Sequence, residues 1–271
     1  MAIRRTGRAK EAATSRPQSA TFRFYAELND FLGPSLRQRA FDRHFDGRPA
    51  VKDVIEAIGV PHTEIDLVLI DGRSVSFSEP LADGSRVAVY PVFEAIDIGP
   101  VLQVRPRPLR EPKFLLDVHL GRLAMLLRLL GFDTSYANDR DDGELATASR
   151  VEGRTLLTRD HGLLKRSTVT HGYFVRERAP RQQAVEVVRR FDLAGRADPF
   201  SRCLRCNDRL TPVARHEVLP RLPRRAALRH DEFRACAVCH RVYWKGTHYW
   251  RMVALVEQLL VEAARGDAAA G

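Results

Sequence analysis

The chain has 271 residues, 44% hydrophobic and 29% charged, enough apolar material for two or three globular domains. No apolar run reaches the roughly 18–20 residues that cross a bilayer, and the first residues, MAIRRTGRAKEAATSRPQSA, lack the apolar centre of a secretory signal, so neither a membrane span nor export is expected, a transit peptide being the lesser alternative for that stretch. The net charge of +10 favours polyanionic partners, because each phosphate contact releases counterions, although an arginine-rich genome would also produce solvated arginines.

Residues 1–20 read as a disordered basic tail, and residues 21–98 as a small α+β domain. TFRFYAEL alternates as a strand from Thr21. A loop follows, then a helix in AVKDVIEAIGV, with Val51, Val54, Ile55 and Ile58 at helical spacing and Gly59 as its stop. EIDLVLIDGRSVSF is strand, Asp-Gly turn, strand, and LADGSRVAVYPVF adds one more. The order is that of a β-grasp. Carriers of that kind end in a free Gly-Gly; here FEAIDIGP runs on into more chain, so a carrier role is not expected, and an interaction module for a protein partner or an RNA-positioning module is the better reading.

Residues 99–111, rich in Pro and Arg, form the linker. Over 112–198 four strands (KFLL, TSYA, TLL, GYFVRE) alternate with helices, the last opened by Pro180. That alternation predicts an α/β domain with a mainly parallel sheet. Residues 199–252 hold the cysteines, and 253–271 form a C-terminal helix and tail.

Three acids stand where a doubly wound sheet forms its sites, at the carboxyl ends of strands. Asp117 follows KFLL, Asp160 follows TLLTR, and Asp142 opens the helix of DDGELATAS with Glu144 beside it. A lone Asp at a helix start is a cap. Three at equivalent strand ends would converge and repel unless a hard cation, Mg²⁺ or Mn²⁺, lay among them. Such a cation can activate water for phosphodiester cleavage. Arg159 is positioned either to touch a scissile phosphate or to pair with its neighbours. His119, His161 and Arg122 are further candidates for touching substrate, whereas Arg128 reads as structural.

CLRC (Cys203, Cys206) and CAVC (Cys236, Cys239), separated by 29 residues, are two knuckles that together offer four thiolates to one tetrahedral Zn²⁺, with two redox pairs or an iron–sulfur centre as the alternatives. Cysteines grouped in this way also suit a reducing cytosol, so a cytoplasmic protein is expected. A site closed by four ligands supports the fold rather than the chemistry. His216 and His240 lie close enough in sequence to be substitute ligands. Arginines and the aromatics Tyr243, Trp244, Tyr249 and Trp250 surround the knuckles, either as the ribbon's own core or as a grip on RNA.

The stretches KFLLDVHLGRLAMLLRLLGFD, DDGELA, EGRTLLTRDHGLLKR and FSRCLRCN, in order between about residues 112 and 252, resemble the Mut-seven C-terminal RNase family. The region from 20 to 98 resembles the ubiquitin-like domain often found before it, through GVPHTEIDLVLIDG and VAVYPVFE. The resemblance implies a PIN-like nuclease domain, a zinc ribbon and metal-dependent cleavage of RNA, most simply single-stranded. By position it carries over Asp117 from the FLLD motif, Asp142 from D-x-E-L and Asp160 from LLTRD. A fourth acid has no clear match; Glu144 is the first candidate, with Asp141 and Asp139 beside it. A non-catalytic nucleic-acid binder and a protein-interaction scaffold are the competing readings.

Overall fold

A computed structural model describes residues 17–91 and 112–265. Most of the basic tail, the linker and the end of the C-terminal tail lie outside the described residues, as does the FEAIDIGP stretch.

Strand β1 (Gln18–Phe24) opens inside the stretch read as tail. Its alternate residues Ala20, Phe22 and Phe24 are buried, which is why it pairs from there on. It lies antiparallel to β2 (Phe41–Phe45) and parallel to β5 (Arg86–Pro91). β5 in turn pairs antiparallel with β3 (Ile65–Ile70), which pairs with the short β4 (Arg73–Ser74). The order β2-β1-β5-β3-β4, with helix α1 (Val51–Ile58) burying Val51, Val54 and Ile55, is the ubiquitin-like β-grasp expected. The Asp71-Gly72 turn has φ of 50° and 83°, the two left-handed residues that a tight hairpin needs. β2 was expected to be loop. Its three central residues are exposed, so no apolar alternation marks it, and backbone pairing with β1 defines it instead.

The second domain runs β6 (Lys113–Leu116), α2 (Gly121–Leu129), β7 (Asp133–Tyr136), α3 (Asp142–Val151), β8 (Thr155–Thr158), α4 (His161–Leu164), β9 (Gly172–Phe174) and α5 (Pro180–Arg190). All four strands are parallel, in the order β7-β6-β8-β9. Helices cover both faces, which explains the unbroken apolar runs of β6 and β8. Phe114, Leu116 and Leu157 join one core with α2 and α5; Leu115 and Leu156 join the other with Leu145, Leu163 and Leu164.

The third region is an antiparallel sheet of β10 (Leu210–Val213), β11 (Phe233–Cys236) and β12 (Val242–Trp244), with short helices α6 (Arg215–Val218) and α7 (Arg224–Arg229) between its first two strands. Helix α8 (Thr247–Arg265) then returns to the α/β domain, burying Val256, Leu259 and Ala263 in its core. The helix therefore starts before residue 253, and Tyr249 and Trp250 are helical rather than ribbon residues.

Candidate active site and metal centre

In an open parallel sheet, the ligand crevice lies outside the carboxyl ends of the strands where the strand order reverses. Here it reverses between β6 and β8; Asp117 stands directly after β6, and Arg159-Asp160 directly after β8. Asp117 is buried. Its Oδ1 accepts from the His119 amide at 2.8 Å, and its Oδ2 accepts from the Thr158 hydroxyl and from the Arg159 amide at 3.2 Å. The same hydroxyl accepts from the Asp160 amide at 2.9 Å. Thr158, fully buried, therefore ties the two acids together, a role that sequence reasoning missed because a threonine at a strand end carries no distinguishing signal.

Asp160 is exposed and caps α4 through Oδ1, which accepts from the Gly162 amide at 2.6 Å and the Leu163 amide at 3.4 Å. Asp142 is not the cap of its helix. Asp141 takes that role in a capping box: its Oδ1 accepts from the Glu144 amide at 2.9 Å and its own amide donates to Glu144 Oε2 at 3.0 Å. That leaves Asp142 in the first turn, 3.7 Å from Arg166 in a half-exposed pair.

Asp117, Asp142 and Asp160 line one cavity of about 550 Å³, together with His119, Arg140 and Arg159. Glu144, Asp141 and Asp139 line a different hollow, which shares Arg140 with the first, and Arg122 is exposed without lining either one. The Nη1 of Arg159 donates to the carbonyls of Val175, Arg176 and Glu177 at 2.6–2.8 Å, which fastens the chain beyond β9. Arg140 differs. Its Nη1 is buried with no hydrogen-bond partner, in a wall that also carries the acids. Orphaned buried donors are rare, and each calls for an explanation such as an ordered water, an ion or a functional role. In the sequence Arg140 is hidden among the charges of NDRDDGE, which read as a solvated loop.

The donor set is all oxygen, which suits a hard divalent cation. Among the described residues, however, only the four cysteines bring three or more His, Cys, Asp or Glu ligand atoms within 4.8 Å of one another. The three aspartates therefore do not close on a single ion as one inner shell. A hard cation here would be held by one or two carboxylates and keep much of its water.

The cysteines do converge. Cys203 and Cys239 Sγ are 3.4 Å apart, Cys206 and Cys236 Sγ 3.3 Å. Each C-x-x-C turn ends on a residue at positive φ, Asn207 at 72° and His240 at 58°, which curls the second sulfur back toward the first. His240 is thus a turn residue, and no histidine joins the cluster. Burial opposes ionisation of Cys203, but hydrogen bonds from Tyr243 and nearby amides bring its thiol down to about 6; burial pushes Cys206 up to about 12. Four sulfurs at this separation fit tetrahedral Zn²⁺.

The ribbon is fastened at the opposite end of the sheet from the acids. Asn207 accepts from the Thr134 amide at 2.8 Å and donates to Asp133 at 2.8 Å, where β7 begins. Arg128, buried in α2, donates to the carbonyls of Thr134, Leu204 and Arg205, confirming its structural role. Trp244 and Tyr249 line a second cavity, of about 620 Å³, with Phe200 and Met252.

A family model described as the Mut7-C RNAse domain matches residues 112–256, which is 145 of the 271. The chain belongs to this family. A second model, Mut7-C ubiquitin, matches residues 17–97 of the Mut7-C chain. Among solved structures, SAMP1 from Haloferax volcanii is 22% identical to the Mut7-C protein, with a TM-score of 0.24, covering 29% of this chain and 99% of its own. No curated protein matches. No helix among the described residues of the Mut7-C chain is long and apolar enough to cross a membrane.

Proposed function

We propose that the protein is a metal-dependent ribonuclease acting at the cavity beyond β6 and β8. The observation that carries this reading is that aspartates from three successive strand–helix junctions line one cavity at the strand-order reversal. Asp160 and Asp142 are the exposed or half-exposed acids able to hold the cation, and Asp117, braced by Thr158, orients Asp160 from behind. A bound Mg²⁺ or Mn²⁺ supplies charge neutralisation and Lewis acidity for hydrolysis of a phosphodiester. Arg140 offers its unpartnered Nη1 to a non-bridging phosphate oxygen, and His119 stands at the rim to meet the flanking chain. Zn²⁺ in the ribbon is structural. Single-stranded RNA that touched both sites would run the length of the sheet, about 13 Å for a four-residue strand.

The competing reading, a binding protein whose aspartates are caps, is favoured by the capping bonds of Asp117 and Asp160 and by the lack of a shared inner shell. Purified protein with Mn²⁺ and labelled single-stranded RNA separates the two. Cleavage is expected, and Asp160→Asn, which preserves the cap, reduces it on the order of 100-fold or more. Arg140→Ala raises KM about 10–100-fold, the value of a charge-assisted hydrogen bond. RNA that stays intact with every metal and pH tried, while bound, would refute the nuclease reading; full activity in Asp160→Asn would refute the site.

A further inference from the structure

The ubiquitin-like domain is locked onto the RNase domain beside the acid cavity. Glu64 is 1% exposed. Its Oε1 accepts from the Phe174 amide at 2.5 Å, and its Oε2 pairs with Arg176 at 3.2 Å. His62 Nε2 meets the Val169 carbonyl at 2.9 Å, and Lys165 Nζ donates to the Glu56 carbonyl at 2.9 Å. Asp30 pairs with Arg176 at 3.2 Å and Glu27 with Arg190 at 3.1 Å. The buried Glu64 carboxyl, bonded both to a backbone amide and to Arg176, fixes how the two domains meet.

This lock delivers one side chain to the cavity's edge. The Phe31 ring lies 5.0 Å from His161 and 5.7 Å, edge-on, from Phe174. His161 and Phe174 are themselves edge-on at 4.1 Å, and both line the cavity with Asp160. Arg176 lies 5.3 Å over Phe31, and Arg159 lies 5.9 Å over Phe174, so those two rings already have cationic partners. His161 is the exposed ring of the three.

We propose that His161, backed by Phe174 and by Phe31 of the ubiquitin-like domain, forms a subsite for one nucleobase of single-stranded RNA next to the cleaved phosphate. Its position in the substrate rests on the nuclease reading; its chemistry is that of any exposed ring on which a base can stack. The N-terminal domain then does more than attach the enzyme to a partner, because its Phe31 braces the ring that receives the base. A ring that served only to pack the two domains together would affect stability without regard to any base in the RNA.

The test uses the full chain carrying Asp142→Asn, to keep the RNA intact, and a fluorescein-labelled single-stranded RNA of about ten nucleotides. Binding is compared with a series in which one abasic position is moved along the strand. One position is expected to cost about five-fold or more in affinity, the effect of a lost stacking contact. That cost disappears in His161→Ala and shrinks in Phe31→Leu, which keeps the apolar contact but removes the ring. Melting curves identify any variant that has lost its fold, and His161→Ala alone completes the comparison. An abasic cost that persists undiminished in His161→Ala overturns the proposal, as does a strand with no sensitive position or one that does not bind. Cleavage by the wild-type protein without this coupling leaves the nuclease standing and removes the subsite; coupling without cleavage does the reverse.

Discussion

Glu64 is the most informative single position for how the two domains are joined. Glu64→Ala deletes the acceptor of the Phe174 amide and the pair with Arg176, whose side chain is only 22% exposed and keeps Asp30 and the Phe174 carbonyl as polar partners. Removing one partner of a buried pair costs about 3–5 kcal/mol. For a chain of this size that corresponds to a drop in melting temperature of roughly 6–20 °C, at about 2–4 °C per kcal/mol. Glu64→Gln keeps an acceptor and resembles the protonated carboxyl, so it costs less. The pH dependence gives a second check. Burial is the largest influence on Glu64 and lifts its carboxyl above the usual range, outweighing the pull of Arg176. Between the usual value and the lifted one, the folded chain holds a proton that the unfolded chain has released. The contribution of Glu64 to stability is therefore fullest below that window and falls as pH rises through it. The Gln variant does not titrate, so its deficit against wild type shrinks as pH rises. Calorimetric melting of both variants from about pH 5 to 8 measures this. An Ala variant that melts with wild type, or a Gln deficit that grows with pH, would refute the account.

Two other perturbations test the ribbon and its attachment. The buried cluster at the knuckles is Cys203, Leu210 and Cys236, and the ribbon adds only Val218, Ala226, Phe233 and Ala235 as buried apolar residues, so Cys206→Ser or a strong chelator is expected to unfold it. Both tryptophans, Trp244 and Trp250, lie in or just after the ribbon, so their fluorescence reports this loss while the parallel sheet keeps its far-ultraviolet signal; unchanged fluorescence in metal-free protein argues against a structural metal. Gly131 has φ of 95°, and a Cβ there would meet the Asp198 carbonyl at 2.1 Å, so Gly131→Ala is expected to cost about 2–5 kcal/mol, measured by chemical unfolding, and a loss below about 1 kcal/mol would mean the junction relaxes freely.

Local signals were enough for the elements that carry them. The helical spacing of Val51, Val54 and Ile55, the Asp71-Gly72 turn, the apolar runs of β6 and β8 and the paired cysteines all record short-range requirements of periodicity, turn geometry and coordination. β2 left no such record, because its central residues face water and its identity comes from hydrogen bonds to a strand about twenty residues away.

The candidate site divides in the same way. Asp117, Asp142 and Asp160 were legible because strand-end acids follow from the α/β rhythm, and the structure brings all three to one cavity. Their spacing across it, the bracing hydroxyl of Thr158, the capture of Arg159 by three carbonyls and the orphaned Nη1 of Arg140 were not legible. Nor was Phe31, which lies 130 residues before the His161 it touches. Residue type and local spacing determined which chemistry the chain carries, because periodicity and coordination number act over a few neighbouring residues. Which donors remain free, and which rings from a distant part of the chain back the cavity's edge, only the tertiary structure decided, because a hydrogen bond or a ring contact depends on the position of its partner and not on the distance along the chain.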